Sequence, residues 1–473
     1  MNGDVLGISI EDIAKQSKDT PFDAIVVGAG SAGLTAARTL AEKGKTVALI
    51  EAGPAPFLTH LSNTEIRYHR DLVRSVRGGV TYSPKLENGD LFGRNYSCFG
   101  GRGLFWNGSS PRYRAHDFDD WPFDDNAMEA TYQWAEREFR VTTALGQTAL
   151  ASRMISALGD KGIETVPGPF AIDNGIVGNG HLSSGIASGL APFFRSAGAF
   201  LISGQIRLAI RSQVLHVLKH SDSGDAAGVT VADVETGNTY EVFGLRTILA
   251  AGGTESVRIA GLSGVDDPHE RIGKGLQDHI FYRCYLEGPE IFDQETRETA
   301  VLHIPSTRQD GEQWEIQAPG RTLFLMDTDE QWKPAKGSAY QIMIRAFAAT
   351  EKRDENFIEV HKGGLGSSTI HFTYSQSDED MKQTMAAGAD DIAKALGLSI
   401  VATRLFKPGD SYHEAGGLDM GTDKQKSVTN PRGEFHGMAN LYCLDAAAFP
   451  KIGATNPHLT IMAESRRKAQ LIK

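Results

Sequence analysis

The chain has 473 residues with 48 basic against 59 acidic side chains, a net charge of -11 and a pI near 5.7. That length exceeds what one hydrophobic core supports, so two or three domains are expected. The acidic balance without a basic stripe argues against nucleic acid as a partner, and no apolar run approaches a membrane span. The three cysteines, Cys98, Cys284 and Cys443, are far apart and odd in number. They suit a reducing compartment better than a disulfide framework and form no metal-ligand spacing, so no metal is expected. The first 21 residues carry Asp4, Glu11, Asp12, Lys15 and Lys18, with neither a continuous apolar core nor a twin arginine. They form no secretion signal, and a cytoplasmic location is expected. The oligomeric state stays open.

In chain order, Asp23-Ala-Ile-Val-Val-Gly-Ala-Gly-Ser-Ala-Gly33 reads as a buried strand running into a glycine turn and a helix from Ser31 to about Lys43. Val47-Ala-Leu-Ile-Glu51 is a second strand ending in a carboxylate. Irregular Gly- and Tyr-rich turns then run to about Tyr113, and helical periodicity appears at 125–140 and 148–158. Strand patterning returns at 206–210, 214–218, 227–231 and 240–243, leading to 246–252, a buried apolar strand with a small-residue turn. Residues 281–375 are β-rich with charged loops, and a helix is expected over 377–396, capped by Ser377 with Asp378, Glu379 and Asp380 in its first turn. Residues 441–445 and those from Pro457 onward read as a strand, a loop and a closing helix.

The first of these segments points to a dinucleotide. Gly28 permits the tight turn, Gly30 lets the backbone approach a pyrophosphate, and Gly33 lets helix and strand pack closely. The helix starting at Ser31 aims its N-terminal amides and dipole at the phosphates. Glu51 stands about 20 residues on, where a carboxylate accepts hydrogen bonds from ribose hydroxyls. Strand, turn, helix, second strand and acid stand in register, so FAD or NAD is expected.

Five further segments follow. They are Phe99-Gly-Gly-Arg-Gly-Leu-Phe-Trp-Asn-Gly108 with Pro111-Arg-Tyr; Gln213-Val214; Leu249-Ala-Ala-Gly-Gly-Thr-Glu-Ser256; Ile272-Gly-Lys-Gly-Leu-Gln-Asp-His279; and the pair Tyr412-His-Glu-Ala-Gly-Gly417 and Phe449-Pro-Lys-Ile-Gly-Ala-Thr-Asn-Pro-His-Leu-Thr460. Together with the first motif they resemble the glucose–methanol–choline family of FAD oxidoreductases from residue 22 to 473. The nearest likeness is to its pyranose-oxidase-like, sugar-oxidising branch. The resemblance implies an α/β fold (α+β overall): a Rossmann-like FAD-binding domain from 22–115, 195–280 and 405–473, with a β-rich, helix-backed substrate-binding part from 116–194 and 281–404. Residues 1–21 are then an N-terminal extension.

The resemblance also assigns residues. Gly100 and Gly101 lie along the flavin and Trp106 belongs to the sugar-oxidising context; on its own chemistry, Asn107 is a candidate to hydrogen-bond near flavin N5. The Val214 backbone holds adenine, Ala251 passes beside FAD, and Asp445 with Ala446 matches the ribityl or pyrophosphate contact. Covalently flavinylated relatives carry a histidine where this chain has Phe105. A phenyl ring cannot form that bond, so the FAD is expected to be non-covalent. His279 is expected to be structural, at the domain seam. His413 and Asn456 match the pair facing the flavin, although Gly417 stands where Thr is usual. An alcohol carbon gives up a hydride only if its hydroxyl proton is taken, a task for a near-neutral base such as His413. Asn456 is expected to donate its amide to the same oxygen. His458 is a candidate substitute base or substrate contact. Gln341, Arg345 and His371 are candidates for a polar pocket, and Arg102 and Arg112 for phosphate, substrate or structural roles. Loops at 60–98 and 165–195 and the 281–400 insertion are expected to set specificity.

The expected activity is oxidation of CH-OH to C=O on a sugar, glycoside or polyol by base-assisted hydride transfer to flavin N5, with oxygen or another acceptor taking the electrons. The rival is lyase or decarboxylase chemistry on the same fold. An NAD enzyme would require ignoring the five later segments.

Overall fold

A parallel five-stranded sheet draws together four distant stretches of the chain in the computed structural model, which describes residues 7–61, 64, 81–172, 176–177, 181–182, 187–288, 299–308, 310–318 and 341–473. Its order is Ile206–Ala209, Val47–Ile50, Ala24–Val27, Thr247–Leu249, Leu441–Cys443. The two motif strands are apolar at every position because both faces of a parallel sheet are covered. Ile25, Val27, Ala48 and Ile50 pack with Val214, Val229, Val231 and Val242 of the antiparallel meander Ser212–Lys219, Ala226–Asp233, Thr239–Phe243. Ala24, Val26, Val47 and Leu49 pack instead with Leu34, Ala37 and Leu40 of the helix Ser31–Glu42 and Ala469 of the closing helix His458–Leu471.

The second sheet is antiparallel, in the order Ser399–Leu405, His279–Glu287, Gln341–Ala349, Gln313–Ala318, Ala300–Ile304, Val166–Pro167. Alternate side chains take opposite faces of a strand. Here Tyr282, Cys284, Ile316, Ile344 and Ala346 meet Met385, Ala389 and Ile392 of the helix Gln376–Leu396. The intervening positions carry Arg283, Gln313, Glu315, Gln317 and Arg345 beside a stacked pair, Phe281 and Phe347, so one face of the sheet is apolar and the other holds a polar wall next to an aromatic patch. This is the β-rich, helix-backed architecture expected.

The helix Gln376–Leu396 starts one residue earlier than the sequence suggests, and its cap lies two residues earlier. Ser375, not Ser377, is its cap: its Oγ accepts the Asp378 amide at 3.2 Å, and the Asp378 carboxylate accepts the Ser375 amide at 2.8 Å. That reciprocal box satisfies two backbone donors, where Ser377 would satisfy one. The region 125–140 opens as a 3₁₀ turn, Asp125–Met128, before the helix Glu129–Phe139. The helix Ile10–Asp19 lies within the stretch expected to be an extension. It buries Ile10, Ile13 and Ala14, and Ser17 Oγ accepts the Phe243 amide. Among the described residues no helix is long and apolar enough to cross a membrane. Of the expected specificity regions, 62–63, 65–80, 173–175, 178–180, 183–186, 289–298, 309 and 319–340 lie outside the described residues.

Candidate active site

The glycine turn does what its residue types require. Gly28 has φ +95°, and a Cβ there would stand 2.5 Å from Ala250 O. At Gly33 a Cβ would come within 1.9 Å of Gly28 O, so only glycine lets the helix approach the turn. Gly30 differs: nothing lies within 4 Å of a Cβ built on it. The space before the helix N-terminus is an open cradle. Glu51 braces the turn from below, its Oε2 accepting the Ala29 amide at 2.8 Å and its Oε1 the Gly53 amide at 2.9 Å. Burial raises its pKa and these backbone donors oppose the rise. Its carbonyl accepts the Ser212 amide, so the strand holding the buried Val214 starts beside it.

The second glycine segment meets the first: the Gly100 amide donates to Ala29 O at 2.8 Å, and a Cβ on Gly101 would stand 3.1 Å from Gly30 Cα. Asn107 Oδ1 accepts the Ser109 amide, while its buried Nδ2 has no partner among the described residues. A second cradle opens at Gly252, where nothing lies within 4 Å of a Cβ. Asp445 holds that turn, its Oδ2 accepting the Gly252 amide at 2.8 Å and the Ser256 hydroxyl at 2.6 Å, and its Oδ1 the Ala447 amide at 2.9 Å. The Ala251 amide donates to Ser256 Oγ, and Ala446 O accepts the Gly416 amide. Two open glycine cradles, a dipole-bearing helix N-terminus and an orphaned amide donor fit an extended dinucleotide flavin.

His413 is carried by a loop tied down on both sides. Its amide donates to Ser411 Oγ at 3.0 Å, and Ser411 Oγ donates to buried Asp278, which also accepts the Gly409 amide. Burial lifts the Asp278 carboxyl to about 7 against those hydrogen bonds. Tyr412 sits at φ +62°, a left-handed conformation that costs an L-residue. Arg102 holds it there by donating to Tyr412 O while clamping both oxygens of Glu414. Arg102 is therefore structural. Arg112 pairs with Glu129 and Glu136, and His371 with Glu87 and Glu359.

The His413 ring meets His279 Nδ1 to Nδ1 at 2.7 Å, and His279 Nε2 lies 2.6 Å from Gly453 O. Phe347 packs beside His413 at 5.2 Å between ring centroids. Burial, and then His279, Arg102, Arg345 and His458, hold the His413 imidazole well below its ordinary range. Those side chains thus share one neighbourhood.

Asn456 donates one Nδ2 hydrogen to Glu315, a fully buried carboxylate that also accepts from Ser109 Oγ and Arg345 and lies 3.3 Å from His303 Nε2. Only its second Nδ2 hydrogen is left for a substrate oxygen. Burial alone would raise the Glu315 carboxyl, but Arg345 and His303 outweigh it and bring it down to about 2. Neither Glu315 nor His303 stands out in the sequence. The available signal is the polar alternation of Gln313, Glu315 and Gln317 within a β-rich stretch. Gln341 opens the strand bearing Arg345, four residues away.

His458 lies 2.7 Å from Ser31 Oγ through Nε2 and sets its ring edge on Trp106 at 4.1 Å. Trp106 donates Nε1 to Ala187 O and offers its carbonyl to His60 Nε2 at 2.7 Å. His60 is a buried member of this cluster that the sequence does not single out. Burial brings His60 down to about 4 and His458 to about 3.

Family models for the GMC oxidoreductases match residues 195–281 and 353–464, and a model for FAD-binding domains matches 23–63. Over the first two of these segments the chain is similar to the GMC oxidoreductases. It is 24% identical to 6'''-hydroxyparomomycin C oxidase of Streptomyces lividus, across 96% of its own length and 92% of that protein's. It is 28% identical to pyranose 2-oxidase of Tricholoma matsutake, across 23% of its own length and 20% of that protein's. Formate oxidase of Aspergillus oryzae shares its fold, with a TM-score of 0.72 at 15% identity over 96% of this chain and 98% of that one. The enzyme is an FAD-dependent oxidoreductase acting on CH-OH donors.

Proposed function

We propose that the enzyme oxidises a hydroxyl of a sugar, glycoside or polyol, with His413 as the base and Asn456 as the donor that holds the same oxygen. The observation behind this reading is the convergence of a depressed imidazole at His413 with the Asn456–Glu315–Arg345 cluster of the polar wall. FAD, when bound, supplies the hydride acceptor. His413 takes the hydroxyl proton, and the free Asn456 Nδ2 hydrogen stabilises negative charge developing on oxygen. Arg345 Nε and Gln317 Oε1 are buried without partners among the described residues, a donor and an acceptor suited to neighbouring hydroxyls. The 6'''-hydroxyparomomycin C oxidase and the pyranose 2-oxidase among the relatives agree with such a substrate.

Several finer readings accompany this one. The FAD is held without a covalent bond, since Phe105 occupies the position of the linking histidine. Its holding residues are Gly28, Gly30, Ser31, Gly33 and Glu51, with Gly100, Gly101, Trp106, Asn107, Val214, Ala251, Asp445, Ala446 and Asn456. The division into a discontinuous cofactor domain and a substrate-binding part, at the boundaries expected above, is supported by the make-up of the two sheets. Three buried free cysteines suit a reducing, cytoplasmic setting.

Anaerobic mixing with a panel of sugars, glycosides and polyols tests the reading. A substrate should bleach the yellow flavin, and oxygen or an artificial acceptor should restore it. A panel member converted without bleaching would instead favour lyase chemistry, and a panel with neither outcome would remove the substrate class.

A further inference from the structure

We infer that His279 is a positioning residue that fixes the tautomer of His413, leaving the lone pair on His413 Nε2. This rests on the reading of His413 as the base. Gly453 O can only accept, so His279 Nε2, 2.6 Å away, carries a proton. His279 is 1% exposed, and burial brings it down to about 4, so at neutral pH it holds that one proton and no other. Its Nδ1 is therefore a bare lone pair. Two lone pairs cannot face each other at 2.7 Å, so His413 must present Nδ1–H to it. A neutral imidazole has a single N–H, and His413 Nε2 is left unprotonated. No hydrogen bond within the described residues uses that nitrogen.

The same arrangement suits the protonated state. When the substrate O–H breaks and N–H forms at His413 Nε2, the Nδ1–H continues to donate to a neutral acceptor, and the hydrogen bond gains charge assistance. The proton stays on His413, and none passes through His279. The other groups facing His413 are Arg102, Arg345 and His458, and each disfavours its cation. Neighbouring carboxylates are already engaged, Glu414 by Arg102 and Asp278 by Ser411 and Gly409. The His279 lone pair is the contact that favours the working tautomer.

The ring pair does not depend on His279 for its backbone frame. Gln277 pairs with Ala415 in both directions, gives Nε2 to Pro450 O and accepts the Ile452 amide. Together with Asp278 it clamps the 409–415 loop and the 450–453 loop side by side. A change of the His279 ring alone should therefore leave both loops in place.

The test uses the FAD-loaded enzyme with ¹⁵N-labelled histidine, the His413 signals being assigned by His413→Gln. His413 should be protonated at Nδ1 and bare at Nε2, and the opposite pattern overturns the inference. His279→Leu should keep its FAD and lower flavin reduction roughly 10- to 10³-fold, below the ~10⁴ that a wrong tautomer costs in a serine-protease triad. It should also displace the pH profile while KM moves little. His279→Asn, which returns an acceptor oxygen near the lost Nδ1, should recover part of the rate. A Leu variant with the wild-type rate and pH profile sinks the proposal. If that variant loses its fold or its FAD, the nitrogen spectrum of the wild type decides. Normal flavin reduction by His413→Ala would remove the base reading and leave the tautomer result standing.

Discussion

His413 is buried among groups that disfavour its cation, so its imidazole stays neutral into the acid range. Flavin reduction should rise with pH through a single ionisation, as the imidazole loses its proton, and reach its plateau below the ordinary histidine pKa of about 6.5. His413→Ala should retain FAD and reduce the flavin roughly 10²–10⁴-fold more slowly. Asn456→Ala should cost about 10²–10³-fold, because one preorganised donor is lost while Glu315 keeps its other partners. His458→Ala separates the two histidines: if it carries the whole rate loss while His413→Ala is normal, the roles are exchanged. Phe105 makes the other residue-scale prediction. It stacks on Tyr96 at 4.1 Å and meets Phe57 edge-on at 5.9 Å. Acid precipitation should release all the yellow colour into solution, and colour retained in the pellet would show a covalent link.

The strand–turn–helix unit separates fold from binding, because its glycines face different things. A side chain on Gly33 would strike the Gly28 carbonyl, whereas one on Gly30 would enter open space. Gly33→Ala should therefore cost stability and yield. Gly30→Val should leave a folded protein without FAD, read by the absorbance ratio of flavin to protein, and full occupancy there would refute the cradle. Glu51→Ala should weaken FAD binding through the turn itself. It strips the Ala29 and Gly53 amides of their acceptor, at about 1–3 kcal/mol for each donor left buried.

Across the whole molecule, burial holds His60, His279 and His458 neutral, at about 4, 4 and 3. In the unfolded chain each titrates near 6.5, so between the two values the unfolded state binds protons that the folded state refuses. Stability should therefore fall as pH drops from about 6.5 towards 4, by roughly 3 kcal/mol for each histidine. Glu315 acts lower. Its folded pKa of about 2 adds stability above the ordinary carboxylate range, and this is lost as pH falls towards 2. Thermal unfolding followed from about pH 8 to pH 4 checks the histidine step, which His60→Gln should shrink. A Tm flat over that range would mean that these rings are not held neutral.

What the sequence determined by itself was local. The dinucleotide turn from Gly28 to Gly33 and the apolar strands beside it are written in short runs, where steric needs and spacing act over a few residues, whereas His413 and Asn456 are singled out only by resemblance. Even there, the cap of the helix over 376–396 moved to Ser375, since which serine closes a capping box depends on backbone geometry. The tertiary structure alone decided the contacts that set the chemistry. Glu315 joins Ser109, Arg345 and Asn456 because antiparallel register pairs position 315 with 345, and a loop brings 456 to the same wall. Likewise, a histidine expected merely to be structural at a seam meets His413 across 134 residues of chain. Such pairings arise from strand order and loop closure, which no periodicity within either segment encodes.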